Sequence, residues 1–366
     1  MKNFVILTLC SLLVVGVGVL VMAAAKGRPI VIESNKQLEG VDTEIEEILS
    51  YASLAPNSHN MQSWHITLDV NEQIMRLTID DDRTLPVADP LNREVYLSLG
   101  CYLETLTTAF QAFGYDTEVH IDLENKDVQV GYHKEVGNAA DRDSLAMIKK
   151  RHTDKSAYQA ADIASDLISD LLADLEGVTY YGQGSPGFTY LKTNTLKAIT
   201  AQADSQAYRD ELNLWLRLSD KEAASSKDGI SAEMIGLKGI VKTFYYWMTD
   251  HQNAQDDRFA AQGIKIAEDQ VEHCSGFFVI TGGSTIADWI ETGRRAQAFW
   301  LRCAKNDIAI QPMSAVLEVS PYNEDIQTAL GLDEKVHLIL RAGYVKAYGE
   351  NIGLRRDLEE YITVVK

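Results

Sequence analysis

A long amphipathic helix, a tight corner and a strand occur in that order twice in this chain, and this echo constrains the fold more than any other feature. From about Arg93 to Phe113 the apolar side chains Leu97, Cys101, Leu103, Leu106 and Phe110 point inward, and Gly114 stops the helix before a strand at Glu118 to Ile121. From about Ile286 to Lys305 a second long helix runs to a corner at Asp307 and into a strand near Ile308 to Val319. Long helices that separate groups of strands predict an α+β chain rather than a strictly alternating βαβ one. With 366 residues, 46% of them hydrophobic and 24% charged, the chain suffices for two core-sized units.

Ahead of these landmarks Asp42 caps a helix carrying Ile45, Ile48, Leu49 and Ala52, which ends near Pro56. Trp64 to Leu68 and Ile74 to Ile79 read as strands around an Asn71-Glu72 turn, and Val128 to Tyr132 as a further strand. A second unit begins near Ser144, with helices at about 144 to 151, 165 to 175, 189 to 202 and 204 to 218. Strands follow at Gly276 to Thr281 and Val336 to Val345. The expected organisation is residues 42–143 and 144–366, with an excursion at 219–251 rich in aromatics.

Residues 1–25 hold a 19-residue uncharged run, Phe4 to Met22, long enough to span a bilayer; residues 26–41 read as a tether. Ala23-Ala24-Ala25 also offers a signal-peptidase pattern, so export after cleavage is the alternative to a single-pass anchor. Lys26 and Arg28 against Lys2 lean the body toward the cytoplasmic side. Thirty-four basic against 53 acidic residues leave a net charge of −19, which argues against nucleic acid as a partner. Four cysteines without C-x-x-C spacing indicate neither a zinc site nor a disulfide framework, and no metal is expected.

No nucleophile elbow, H-E-x-x-H, P-loop or G-x-G-x-x-G is present. Two segments carry more information. Pro56-Asn57-Ser58-His59-Asn60-Met61-Gln62-Ser63-Trp64 is dense in amides and hydroxyls able to serve a heteroaromatic ring or polyol, or equally to form a solvated turn. Arg151-His152-Thr153-Asp154-Lys155 sets cations beside a hydroxyl, suited to a phosphate monoester or to a charged helix end. In the excursion, Tyr245, Tyr246 and Trp247 read as a lid over a planar ligand or as a buried apolar helix.

Together the two segments resemble the motifs of the FMN-dependent nitroreductase superfamily, Arg-x-Ser/Thr-x-Arg/Lys and Pro-Ser-x-x-Asn-x-Gln-Pro-Trp. Ser63 replaces the proline, and the order of the motifs is reversed. In that family two identical chains share each flavin. The reversal therefore implies two half-units fused in one chain as an intramolecular pseudodimer with one composite site, as in the Acg-like branch. The stretches FFVITGGSTIADWIETGRRAQAFWLRCAKNDIAIQPMSAVLEV and ISAEMIGLKG look like that branch too.

The resemblance implies that Arg151 and Thr153, with His152 between them, hold the phosphate and ribityl end of FMN, and that Lys155 stands near the N1/C2 edge. Asn57, Ser58 and Asn60 come from the opposite half. Pro312, Met313, Ser314 and Ala315 pass the flavin N5, and one of Arg355 and Arg356 reaches the phosphate. No side chain is assigned as a catalytic acid, since the flavin carries the chemistry. The expected function is transfer of electrons from NAD(P)H through FMN to a small acceptor, a quinone or nitro compound, by a monomeric body tethered to a membrane. The alternatives are a flavin-sequestering protein with little turnover, and a tethered interaction module without flavin.

Overall fold

The computed structural model describes residues 27–30, 37–135 and 142–366. The apolar run Phe4 to Met22 lies outside the described residues, among which no helix is long and apolar enough to cross a membrane.

Helix Thr43–Ala52 opens the body, with the Asp42 carboxylate accepting from the Glu44 N–H. Strands β1 (Trp64–Asp69), β2 (Ile74–Ile79), β3 (Tyr115–Asp122) and β4 (Asp127–Lys134) follow, with helix Arg93–Ala112 between β2 and β3. β1 alternates buried and half-buried residues, as a strand with one covered face should. The remaining strands are β5 (Val178–Gly182), the two-residue β6 (Leu216–Arg217) and β7 (Ile230–Ser231), β8 (Gly276–Gly282), β9 (Ile308–Pro312), β10 (Lys335–Tyr344) and β11 (Ile362–Val365). One sheet has the order β11-β1-β2-β4-β3 and a second β5-β8-β10-β9, while β6 and β7 pair separately. All seven residues of β8 are buried, because helices cover both faces of the second sheet at that strand.

Helices Arg93–Ala112 and Ile286–Lys305, each of 20 residues, pack on each other between the sheets. Each ends in a left-handed corner two residues on, at Gly114 (φ 80°) and Asp307 (φ 55°), and each corner feeds a strand. A Thr285–Asp288 capping box starts the second helix. Gln297 Nε2 donates to Thr105 Oγ1 at 3.0 Å and Arg294 Nε to Glu104 Oε2 at 3.1 Å across the crossing. The main core continues through this contact from Trp64, Tyr102 and Phe110 to Phe278, Phe299 and Ile310.

Four expectations need correction. The strand at Ile308 ends at Pro312 rather than near Val319, because helix Ala315–Glu318 takes over. Helix Asp257–Glu272 and strand β5 were not expected at all. Strand β11 crosses back and pairs in parallel with β1, with Ile66 opposite Ile362. Finally, the aromatic helix of the excursion, Gly239–Met248, is neither a buried apolar helix nor a lid, as its burial pattern shows below.

Candidate functional site

A cavity of about 700 Å³ lies where the two halves meet. The first half supplies the segment Pro56 to Asn60, whose backbone is left-handed at His59 (φ 51°) and Asn60 (φ 55°), with Gln62 (φ 56°) just beyond. Non-glycine residues held there are strained, and strain of this kind persists where neighbouring contacts over-determine it. Those contacts are present. Asn57 Oδ1 accepts from the Gln62 N–H at 2.8 Å, Gln62 Oε1 from the Arg356 N–H at 2.8 Å, and Asn60 Nδ2 donates to the Leu354 carbonyl at 3.1 Å. Ser58 Oγ donates to Glu94 Oε2 at 2.7 Å.

The second half supplies Arg151 to Ser156. Thr153 bridges in parallel to Ile310, and the Asp154 N–H donates to the Ile310 carbonyl at 3.0 Å, so the segment lies along β9. Buried Arg341 holds its far end by donating to the Ser156 carbonyl at 2.9 Å. Arg151 sits over the Trp300 ring, 4.9 Å from its centroid, and donates to the Leu54 carbonyl at 2.8 Å; its buried Nε has no hydrogen-bond partner. His152 packs edge-on to Tyr348, and its Nε2 lies 3.6 Å from Asp154 Oδ2.

Arg355 reaches the cavity from the C-terminal segment and donates to Asn60 Oδ1 at 2.9 Å. Burial lowers the Arg151 guanidinium to about 10; burial and then repulsion from Arg151 lower Arg355 to about 9. Burial also lowers Lys155. Among the described residues no ion pair involves Arg151, Lys155 or Arg355, whereas Arg83, Arg217 and Lys242 are all paired with carboxylates. Three desolvated cations without counter-ions around one cavity form a site prepared for an anion.

Of the expected residues, Asn57, Ser58, Asn60, Arg151, His152, Thr153, Lys155, Pro312, Ser314, Ala315 and Arg355 border this cavity. Met313 does not: its side chain is buried in a cluster with Phe277, Val279 and Ile339. Arg356 does not either, because its guanidinium donates to the Gln62 and Glu360 carbonyls at 3.1 and 2.8 Å. Tyr245, Tyr246 and Trp247 are also not among its walls. Tyr246 Oη accepts from the Ala232 N–H at 3.1 Å, Tyr245 packs near Leu216 and Ala254, and Trp247 faces outward. The excursion instead meets the cavity through Ile230, Glu233, Met234, Gly236 and Lys238.

Several lining residues were missed in the sequence. Ala260, Gly263, Ile264 and Ala267 recur at three and four along helix Asp257–Glu272, and that period was the available signal. Glu94 and Glu318 come from opposite halves and meet at the wall; burial and then the Glu94 charge hold the Glu318 carboxyl well above the usual range. His59, also on the wall, is held down at about 4 by burial, so it is neutral at pH 7. Asp116, His133 and Glu135 bring metal-ligating atoms within 4.8 Å of one another on the exposed side of β3 and β4, away from the cavity.

No family model matches the chain. It is similar to PigM of Serratia sp., named as an NAD(P)H nitroreductase, with 25% identity over 193 residues, 49% of this chain and 53% of that one. It is also similar to a Mycobacterium tuberculosis protein named as an NAD(P)H nitroreductase, with 30% identity over 118 residues, 31% of this chain and 34% of that one. The matches thus span about half or less of these relatives' lengths. Among solved structures, the FMN-dependent nitroreductase NfnB of Mycobacterium smegmatis, in complex with NADPH, aligns with a TM-score of 0.37 and 13% identity, covering 61% of this chain and 99% of that one. A nitroreductase-like family protein of Bacillus cereus gives 0.31 and 11%, covering 61% and 96%. Superpositions this loose carry no argument; by sequence the chain is similar to proteins named as NAD(P)H nitroreductases.

Proposed function

We propose that the chain is an FMN-binding oxidoreductase of the nitroreductase type, built as two fused halves of the Acg-like kind around one composite site. The observation that carries this reading is the convergence of Arg151, Lys155 and Arg355, all without carboxylate partners, on a cavity walled by residues 57 to 60. The donor set fits FMN: guanidinium groups for a phosphate, Asn and Ser side chains for a ribityl chain, and an apolar wall of Ala296 and Leu338 for a ring. Bound FMN would supply two-electron transfer from NAD(P)H to a small acceptor such as a quinone or nitro compound.

The chain's own residues then have separate tasks. Arg151 and Arg355 hold the phosphate, and Trp300 fixes the Arg151 plane. Lys155 places positive charge beside the ring, which favours its anionic reduced form. Arg341 and β9 keep the 151–156 segment in place, so these charges are oriented before the ligand arrives. We further propose that the body is monomeric and that Phe4 to Met22 tethers it to a membrane, with the cytoplasmic side favoured by Lys26 and Arg28.

The test is the absorbance spectrum of the purified full chain after addition of FMN, recorded anaerobically with and without NADH or NADPH. One flavin per chain, bleached by either nucleotide, is the expected result. A flavin that binds but is not bleached would assign the site to storage, and no binding in excess FMN would overturn the reading.

A further inference from the structure

Helix Gly239–Met248 carries its amphipathicity the wrong way round for a soluble protein. Its exposed face holds Ile240, Val241, Phe244, Trp247 and Met248, with exposures from 37% at Ile240 to 74% at Met248. At helical spacing these five residues share one continuous stripe. The face turned inward holds Lys242, fully buried, together with Thr243. Lys242 Nζ lies 2.6 Å from Glu233 Oε1 and 2.7 Å from Asp220 Oδ1. The helix is therefore anchored to the body by these ion pairs and by Tyr245 and Tyr246, while its apolar stripe is left outside. A contiguous apolar patch of this kind marks an interaction surface.

The same helix receives the chain as it arrives from the N-terminal side. The Gly239 N–H donates to the Gly27 carbonyl at 3.0 Å, Lys242 Nζ to the Arg28 carbonyl at 3.0 Å, and the Ile30 N–H to Glu233 Oε1 at 3.1 Å. Only residues 23 to 26 separate Gly27 from the apolar run that ends at Met22. Five extended steps span at most about 18 Å. If that run crosses a bilayer, Gly27 stands no further than this from its end, and the start of the helix at Gly239 is bonded to Gly27.

The geometry points to helix Gly239–Met248 as a membrane-docking surface, its stripe of Ile240, Val241, Phe244, Trp247 and Met248 lying in the interface of a phospholipid bilayer beside the tether. This inference rests on the proposed membrane tether. Aromatic and aliphatic residues on one face of a helix that lies in the interface plane bury about 5 to 10 Å into the acyl boundary. Exposed Arg28 and Lys238 flank the stripe and put cations at the head-group level of a body that otherwise carries net charge −19. Docking would hold the wall segment Ile230 to Lys238 near the bilayer, so the cavity would open close to the phase in which apolar quinones reside.

The test uses the full chain in phosphatidylcholine vesicles carrying bromine on the upper acyl chain. Trp64 and Trp300 are buried, and Trp247 is the tryptophan on the stripe. Bromolipid is expected to quench part of the tryptophan emission, and Trp247→Phe is expected to abolish that part while the chain still floats with the vesicles. Flotation without quenching, or quenching unchanged in Trp247→Phe, would overturn the docking surface and leave the tether standing. Shielding of Trp247 from both bromolipid and aqueous acrylamide would assign the stripe to a protein partner instead. A full chain that does not float would overturn the tether, and the docking surface with it.

Discussion

Gly100 and Gly293 meet backbone to backbone where the two long helices cross. A Cβ on Gly100 would stand 2.0 Å from the Ile290 carbonyl oxygen, and one on Gly293 would stand 2.1 Å from that of Leu97. The relation is reciprocal: each glycine meets the carbonyl three residues before the other. Ala296 and Trp300, one and two turns beyond Gly293, form part of the cavity wall, so the crossing distance also sets the site.

Replacing Gly100 with Ala should therefore push the helices apart. Overpacking of this kind costs about 1 to 3 kcal/mol. Urea denaturation should report the loss, and FMN titration should show weaker binding because the Trp300 support of Arg151 moves with the helix. An unchanged midpoint and affinity would mean that the crossing adapts without displacing the wall.

Arg355 and Arg356 are neighbours in sequence with opposite environments, one bordering the cavity and one bonded to Gln62 and Glu360. Arg355→Ala should weaken FMN binding by about 1.5 to 3 kcal/mol, roughly ten- to a hundredfold, as should Arg151→Ala. Arg356→Ala should lower the melting temperature of the ligand-free protein and change affinity less. Calorimetric titration separates the two: equal losses of affinity for Arg355→Ala and Arg356→Ala would remove the distinction.

Two buried groups near the site give opposing pH dependences. Burial holds His59 at about 4, so its contribution is present above the ordinary histidine value of 6.5 and is lost as pH falls. Burial, then repulsion from Glu94, raises Asp89 to about 6, so its contribution is present below 3.8 and is lost as pH rises. Each is worth up to about 3 kcal/mol. His59→Gln should leave stability falling with pH between about 4 and 6, and Asp89→Asn should leave it rising, both measured by denaturant titration at fixed pH. Parallel profiles for the two variants would contradict this assignment.

Lys242 joins Glu233, Asp220 and the Arg28 carbonyl at a fully buried point. Lys242→Met leaves buried Glu233 without its cation, at a cost of about 3 kcal/mol or more. Limited proteolysis should show earlier cleavage near residue 28 in this variant, with the body still folded. Unchanged protection there would show that residues 27 to 30 are held without the lysine.

The elements readable in the sequence are those with a strong period and a clear stop. Helix Ile286–Lys305 was legible because of its length and the Asp307 corner that closes it; the Thr285–Asp288 capping box that starts it is seen in the structure. Helix Asp257–Glu272 was harder to read, since its period at Ala260, Gly263, Ile264 and Ala267 is carried mostly by small residues that face a cavity. β5 has five residues, all half-buried, and offers no alternation to detect. In the site, clustered cations stood out against an acidic chain. Glu94 and Glu318 could not, because each is unremarkable in its own segment and only the fold brings them together. The aromatics Tyr245 to Trp247 were misread because composition does not tell which way a helix faces.

The pairing of β11 with β1 has a consequence for the order of events in folding. Thr363 Oγ1 lies 3.2 Å from His65 Nε2 across 298 positions of sequence, and Arg355 belongs to the segment that makes this return. Until the chain through Val365 is available, the edge of β1 stands open to any passing strand, and one of the three cavity cations is absent. Closing so long a loop places these contacts late. A nascent or truncated chain would thus expose an aggregation-competent edge and lack one cation of the proposed phosphate site, which would make loading of the ligand a report that the return has been completed.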